Sequence, residues 1–449
     1  MADFLGIDVG TSFLKAAAID LDRLQLRRTE RVPFPEFASG LPPLYREVDA
    51  GAVMRAVEDL LARITAHTPK YSGLVLCGQM HGFVLVNESG EAASNYISWL
   101  DQRVTASEFG EISEQVAESE RAELGHEFRP SIALGLLAWL KKHRRLPEGA
   151  VTPVSIADFV AGRLCGVPPV MEPTQAAAFG ALRLGSLHWH EAVIDKLGLR
   201  CLRWPDVRPS GAVVGTWRGA PCHTAVGDQQ CALAGALLRQ RELSVNIGTG
   251  SQVALLADCA GTGDHQTRPY FDGAVLRTIT HIPAGRALTA LVGLLTELGS
   301  VAEDDAWRYI EPAVASVPLT DVRASIAYFP GPCGQRGFFE NLHEGNLSVG
   351  HIFRAVFESM ARNYETCSRR LDLDGTAERV VFSGGVARHL GVLRDLTGSA
   401  LGLPSRLSPH AEDTLFGLMV LALAFSGRRR SVRDATEAVA KALPMRTSP

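Results

Sequence analysis

At 449 residues the chain is long enough for two large domains, and 46% hydrophobic with 21% charged residues is the balance of a globular protein with a sizeable core. A formal charge of −4 gives no basic footprint for nucleic acid, and the one dense basic run, Arg428-Arg429-Arg430, reads as a helix end in solvent. No apolar stretch approaches the roughly 20 residues of a membrane helix, and Met1-Ala2-Asp3 leads into a strand without a signal-peptide pattern, so the expectation is a cytoplasmic protein with neither nucleic-acid nor membrane partners.

In chain order, Phe4 to Val9 and Lys15 to Ile19 read as two strands of a hairpin bent around Gly10-Thr11-Ser12. Ala52 to Ala66 has apolar residues at helical spacing, and Ser72 to Cys77 returns as a short buried strand. Leu134 to Lys142 is a helix with a basic end, favourable for its dipole. Pro205 to Pro221 is rich in Pro and Gly and has no helical pattern, which places a boundary close after it and divides the chain into 1–222 and 223–449. The second part opens with Thr224 to Gln230, a small-residue helix from Cys231 to Leu238, and a strand. Helical patterns then run from Ala287 to Tyr309 and from Val349 to Leu371. Arg379 to Phe382 is a strand running into Ser383-Gly384-Gly385, and Thr414 to Phe425 is a last, buried helix. Alternating strands and helices imply an α/β architecture. The eight cysteines are scattered without a Cys-x-x-Cys pair and read as reduced core thiols.

One phrase occurs twice. Leu5-Gly6-Ile7-Asp8-Val9-Gly10-Thr11-Ser12 returns as Leu243-Ser244-Val245-Asn246-Ile247-Gly248-Thr249-Gly250. Each copy is an apolar strand ending in a turn whose glycine lets backbone N–H groups approach a ligand, while the hydroxyls add donors. Such a turn suits a phosphate, and two copies suggest two similar halves facing one polyphosphate. Ser383-Gly384-Gly385 is a third glycine turn at a strand-to-helix junction, where a flat nucleoside could lie against the backbone.

In this order the segments resemble the FGGY carbohydrate kinases, within the wider superfamily of sugar kinases, heat-shock chaperone ATPases and actin. Ile7 to Ser12 resembles the first phosphate loop, Gly78-Gln79-Met80-His81-Gly82 the sugar segment and Trp99-Leu100-Asp101-Gln102-Arg103 the Trp-x-Asp-x-Arg element. Gly227-Asp228-Gln229-Gln230 resembles the segment with the family's catalytic aspartate, Asn246 to Gly250 the second phosphate loop, and Ser383 to Arg388 the adenosine motif. The resemblance implies two actin-like (ribonuclease H-like) ATPase domains with the active site in a cleft between them. It also implies ATP and Mg²⁺ as cofactors, a small sugar as the partner and a homodimer as the possible assembly.

Carried over residue by residue, Asp228 is the base that takes the proton of the attacking hydroxyl. An Asp at a helix start also caps helices well, so position alone leaves both roles open. Asp8 positions the metal, mostly through water, with Asp228 near it. Gln79, Met80, His81, Trp99, Asp101 and Gln229 contact the sugar, and Gln230 faces away as a structural residue. Gly10, Thr11, Ser12, Lys15, Gly248, Thr249, Gly384, Gly385 and Arg388 hold the nucleotide. Met80-His81 resembles the xylulokinase and sedoheptulokinase pattern, while Met171 to Gly180, Val245 to Val253 and Pro269-Tyr270-Phe271 resemble the sedoheptulokinase branch most, so a seven-carbon ketose is the first expectation and xylulose the second. Glu172 and Thr174-Gln175 stand where the family usually has an Asp and a Ser. A chaperone-like ATPase would lack the Gln79 to His81 and Trp99 to Asp101 segments, and a non-catalytic sugar sensor would lack Asp228 or a phosphate glycine.

Overall fold

The apolar run after Asp3 forms the strand Asp3–Val9, buried at every position and paired antiparallel with Phe13–Asp20. On its other edge it pairs in parallel with Tyr71–Gly78, Asp8 opposite Cys77 and Val9 opposite Gly78. These strands lack polar alternation because both faces of their sheet are covered. Leu5, Ile7 and Val9 pack with the helices Ala50–His67 and Ile156–Cys165, whereas Phe4, Ala17, Ile19 and Val75 pack with Asp413–Phe425. The structure, a computed structural model, describes residues 3–261, 263–297 and 303–443.

The strand order is Val213–Trp217, Ala220–His223, Tyr71–Gly78, Asp3–Val9, Phe13–Asp20, Gln25–Pro33, with the short strand Val226–Gly227 also parallel to Tyr71–Gly78. The Pro/Gly-rich stretch 205–221 has no helix, as its composition predicts, and supplies the edge hairpin of this sheet. Around Ala133–Lys142 a further apolar cluster, including Phe83, Phe179 and Leu199, fills out the same unit.

In the second unit Glu242–Ile247 pairs antiparallel with Ser251–Ala257 and parallel with Arg379–Ser383, which in turn pairs with Ser405–Leu407. That is the arrangement of the first sheet over again: a hairpin at the repeated phrase with a parallel strand beside it. The helix Val349–Leu371 has the bounds its periodicity predicts, starts on a Ser348 cap, and buries Phe353, Phe357, Met360 and Tyr364. The pattern from Ala287 to Tyr309 is not one helix but two, Gly285–Thr296 and Glu303–Ala315, and residues 298–302 between them lie outside the described set. Glu242 and Arg406, on the strands Glu242–Ile247 and Ser405–Leu407, form a buried ion pair at 2.7 Å.

By backbone contacts one compact unit is Met1–Leu237 with Gln266–Val275 and Glu412–Leu443, and the other is Leu238–His265 with Leu276–Ala411. The units are therefore not two consecutive stretches of chain. The helix Asp228–Gly235, which a cut after residue 222 assigns to the second part, packs on Asp413–Phe425 within the first unit. Small residues permit this: a Cβ added at Gly235 would meet the Asp413 carbonyl at 1.9 Å, and one at Gly417 the Cys231 carbonyl at 1.9 Å. The expected helix from Cys231 to Leu238 thus begins and ends three residues earlier, with Asp228 as its first residue.

All eight cysteines are free, but Cys201 and Cys259 are exposed rather than core thiols. Cys201 ends the 3-10 turn Leu199–Cys201, and Cys259 stands in the bend that follows the strand Ser251–Ala257. Among the described residues no helix is long and apolar enough to cross a membrane.

Candidate active site

Three parallel strand ends meet in the first unit. Asp8 and Val9 lie opposite Cys77 and Gly78, and Val226 and Gly227 lie against the same two residues from the other side. Asp8, Gln79 and Asp228 are therefore delivered together at the carboxyl ends of adjacent strands, where α/β folds place their ligands. The segment that looked irregular in sequence is the latch. Gln175 donates to the Gly78 carbonyl at 3.0 Å and to the Val226 carbonyl at 3.2 Å, and the Thr174 hydroxyl accepts from Gly227 N–H at 2.8 Å. Buried Glu172 caps that short helix, accepting from the Thr174 N–H and hydroxyl and from Ser210. The unusual Glu172, Thr174 and Gln175 thus fix the backbone next to Asp228.

Burial pushes the Asp228 carboxyl up to about 7, and the negative charge of Asp8 adds to the rise. Asp8 is also raised by burial, against the opposing bonds from Thr414, whose hydroxyl donates to Oδ2 at 2.7 Å, and Cys77. A carboxyl that titrates near neutrality is well matched to taking a hydroxyl proton at physiological pH. Lys15, directly across the hairpin from Asp8, pairs with Glu412 at 2.5 Å.

Around Asp228 the wall is polar and interconnected. Trp99 Nε1–H donates to the Thr11 hydroxyl at 3.1 Å, and that hydroxyl donates to Gln79 Oε1 at 3.4 Å, joining the first turn to the sugar segment. Met80 is buried with its sulfur against Gly227. His81 takes a left-handed backbone (φ 74°), with Nδ1 2.9 Å from the Ala178 carbonyl. Its Nε2 faces Arg268 Nη2 at 3.4 Å; Arg268 Nη1 donates to Gln229 Oε1 and Nε to Glu127 Oε1 at 2.6 Å. Burial and the Arg268 charge hold the His81 imidazole down at about 3, so it is neutral. Burial would raise Glu127, but Arg268 and Arg129 outweigh it and bring the carboxyl to about 2. Glu127 and Arg268 belong to no motif picked out in the sequence, and the nearest signal was the neighbouring Pro269-Tyr270-Phe271.

Asp101 stands apart from this wall. It is fully buried, and its two oxygens accept from Arg103 N, Nε and Nη2 and from Arg46 N at 2.7 to 3.0 Å. The carboxylate is spent on clamping Arg103, which also reaches Glu47 and lies over the Tyr45 ring. Gln230, as expected, is inside, donating to the Pro269 carbonyl at 3.2 Å.

In the second unit the Gly248-Thr249 turn is held by its own surroundings. Gly248 N–H donates to the Gly250 carbonyl, while Gly285 and Arg286 donate to the Gly248 and Thr249 carbonyls. Asn246 Nδ2 donates to Ser383 Oγ at 2.9 Å, tying this turn to the third glycine motif. Gly384 has φ 88°, and a Cβ there would meet the Ile247 carbonyl oxygen at 2.5 Å, so only glycine fits. Gly385 opens the short helix Gly385–His389 with open space at its Cα, and Arg388 on that helix donates to Ser408 and to the His410 carbonyl.

The profile of the FGGY family of carbohydrate kinases, N-terminal domain, matches residues 4–235, more than half of the chain. The chain belongs to the FGGY carbohydrate kinases. It is 24% identical over 472 residues to human sedoheptulokinase, covering 93% of this chain and 96% of the relative. Autoinducer-2 kinase of Enterobacter sp. (strain 638) is 25% identical over 476 residues, covering 94% and 86%. Among solved structures, ligand-bound xylulose kinase from Lactobacillus acidophilus superposes with a TM-score of 0.83 at 16% identity, over 97% of this chain and 92% of that one.

As an FGGY kinase the protein is a sugar kinase of a family that uses ATP as phosphate donor, and its two-domain actin-like α/β fold is the one the family resemblance implies. Of the expected sugar residues, Gln79, Met80, His81, Trp99 and Gln229 stand in the interconnected wall and Asp101 does not. Of the expected nucleotide residues, Gly10, Thr11 and Ser12 form the open turn of the first unit, and Gly248, Thr249, Gly384, Gly385 and Arg388 cluster in the second.

Proposed function

We propose that this FGGY kinase transfers the γ-phosphoryl group of ATP to a hydroxyl of a ketose, a seven-carbon ketose such as sedoheptulose first and D-xylulose second. The observation that carries the reading is the placement of Asp228, a carboxyl raised to about 7 by burial and by Asp8, beside a hydrogen-bonded wall in which Gln229 and neutral His81 share the Arg268 guanidinium. Asp228 accepts the proton of the sugar hydroxyl as that oxygen attacks phosphorus. Gln79, neutral His81 and Gln229 hold the remaining hydroxyls, and Trp99 gives an apolar face to the C–H side. The Gly10-Thr11-Ser12 turn offers N–H and hydroxyl donors to phosphate oxygens. Asp8 and Asp228 are the kind of donor set Mg²⁺ takes, one or two carboxylates completed by water and nucleotide phosphates, and the ion would offset phosphate charge there. Similarity to sedoheptulokinase along nearly the whole of both chains, together with Met80-His81, supports the heptulose over the pentulose.

The test is Mg·ATP-dependent ADP release with sedoheptulose, D-xylulose, D-ribulose, L-ribulose, L-fuculose, erythritol, glycerol and autoinducer-2, with Asp228→Asn as control. Turnover of a ketose that the variant abolishes supports the reading and names the sugar. Silence across the panel with intact ATP binding overturns it in favour of a non-catalytic homologue.

A further inference from the structure

Cys333 and Cys367 are 34 residues apart in sequence and meet inside the second unit, with their Sγ atoms 4.0 Å apart and both thiols free. Cys367 is 1% exposed on the helix Val349–Leu371, whereas Cys333 is half-buried on the connection between the strands Arg323–Ser325 and Phe338–Glu340. That connection offers Cys333 on a braced turn. Gly331 N–H donates to the Gly334 carbonyl at 3.1 Å, Gly334 N–H donates to the Gly331 carbonyl at 3.2 Å, and Pro330 and Pro332 stiffen the approach. The hydrogen bond from Cys333 lowers the Cys367 thiol against its burial, and the Arg370 charge adds to the fall, so the pair holds a thiolate more readily than burial alone would allow.

Each sulfur also has a path to the second glycine turn. On the connection that carries Cys333, the Phe329 ring lies 3.6 Å from the Arg286 guanidinium, and Arg286 N–H donates to the Thr249 carbonyl at 2.8 Å. On the helix that carries Cys367, Tyr364 brings a buried hydroxyl under the influence of Ser251 and of both sulfurs, and Ser251 Oγ donates to the Asn246 carbonyl. We infer that Cys333 and Cys367 are a redox-active dithiol, which peroxides oxidise to a disulfide that loosens the Gly248-Thr249 turn and weakens nucleotide binding. One sulfur, as thiolate, attacks a peroxide oxygen and breaks the O–O bond, giving a sulfenic acid and hydroxide; the other sulfur then displaces the sulfenic hydroxyl. With hydrogen peroxide, two thiols and one peroxide become one disulfide and two waters. The bond needs the sulfurs at about 2.05 Å, so about 2 Å must be closed. The helix is held along its buried face, and the half-buried turn is the side that moves. Because the turn is braced it moves as a body, drawing Phe329 from the Arg286 guanidinium and slackening the bond to Thr249. The nucleotide effect rests on the kinase reading, and the disulfide does not.

The experiment uses the full chain with Cys201→Ser and Cys259→Ser, which removes the two exposed thiols. After hydrogen peroxide, the thiol count of the unfolded protein is expected to fall by two, a digest to yield a peptide joining 333 to 367, and dithiothreitol to reverse both. Amide hydrogen exchange across 246–253 and 284–288 is expected to quicken at least threefold, and the Kd for Mg·ATP to rise at least threefold. Cys333→Ser and Cys333→Ala, added singly, are expected to abolish both responses. Absence of the 333–367 peptide, a smaller change in exchange or in Kd once that peptide has formed, or a response that survives in both Cys333 variants overturns the inference and leaves the kinase reading in place. A reduced protein that binds no ATP, yet forms the link with faster exchange, counts against the kinase reading alone and supports the dithiol.

Discussion

Replacing Gly417 by alanine should destabilise the first unit sharply, although in most helices that change stabilises. An alanine in a helix interior is worth about 1 kcal/mol more than glycine, so the local propensity term is favourable. The crossing is what opposes it. The new Cβ would stand 1.9 Å from the Cys231 carbonyl oxygen, 2.7 Å from its carbon and 3.0 Å from its sulfur. Ordinary contact begins beyond roughly 3.5 Å, so the helices Asp228–Gly235 and Asp413–Phe425 must part by more than an ångström. Neither side can yield locally, because the obstacle is helix backbone, and the companion crossing of Gly235 on the Asp413 carbonyl opens at the same time. Overpacking costs about 1–3 kcal/mol, and a clash with backbone on both sides of the crossing belongs at the upper end, so after the propensity gain of about 1 kcal/mol the net loss is about 2 kcal/mol. Gly110, inside the helix Ala106–Ser113 with nothing within 4 Å of its added Cβ, is the control, and its alanine variant should gain up to about 1 kcal/mol. Urea denaturation of both variants reads the two signs. The displacement also carries Asp228, the first residue of its helix, away from Gly78, so sugar kcat/KM should fall in Gly417→Ala and not in Gly110→Ala. A Gly417→Ala midpoint equal to or above wild type would refute the packing argument.

Asp228 makes a second prediction in two parts. With its pKa raised to about 7, kcat/KM for the sugar should fall as pH drops below 7, and a profile flat from pH 5 to 8 would remove Asp228 as the titrating base. The folded state holds an extra proton between the ordinary value of 3.8 and about 7, so this group's contribution to stability declines as pH rises through that window. Asp228→Asn should therefore lose nearly all turnover yet raise Tm more at pH 8 than at pH 5, and thermal melts at both values check the sign. Asp101 makes a third. Truncation to alanine leaves Arg103 buried without its main partner and should cost about 3–5 kcal/mol, measured by denaturant unfolding. A folded, fully stable Asp101→Ala with a raised sugar KM would instead return Asp101 to the sugar.

The parts of this fold that the sequence made legible are those set by short-range chemistry. Apolar β-branched runs closing on Gly-Thr became the two hairpins, and the 3.6-residue period from Val349 to Leu371 became a helix with those bounds. What stayed hidden depends on distant partners. Arg268 and Glu127 are 141 residues apart, and nothing local distinguishes a buried, shared guanidinium from a solvated one. The element of Asp101 resembles a sugar-binding one, and what its sequence does not show is that the carboxylate also accepts from Arg46 N–H, 55 residues away, while holding an Arg103 that reaches Glu47. Glu172, Thr174 and Gln175 were visible as an oddity, and only the position of Gly78 and Val226 explains them as a latch.

The three-piece composition of the first unit has a consequence for biosynthesis. Its N-terminal sheet leaves the ribosome with Phe4, Ala17, Ile19 and Val75 facing nothing, because Leu415, Leu418, Met419 and Leu423, which cover them, come after the whole second unit. At about 5–20 residues per second that interval lasts on the order of ten seconds or more. Throughout it a broad apolar face is a target for nascent-chain chaperones or for other unfinished copies, and a message broken before the codon for Leu415 yields a polypeptide whose first unit lacks that cover.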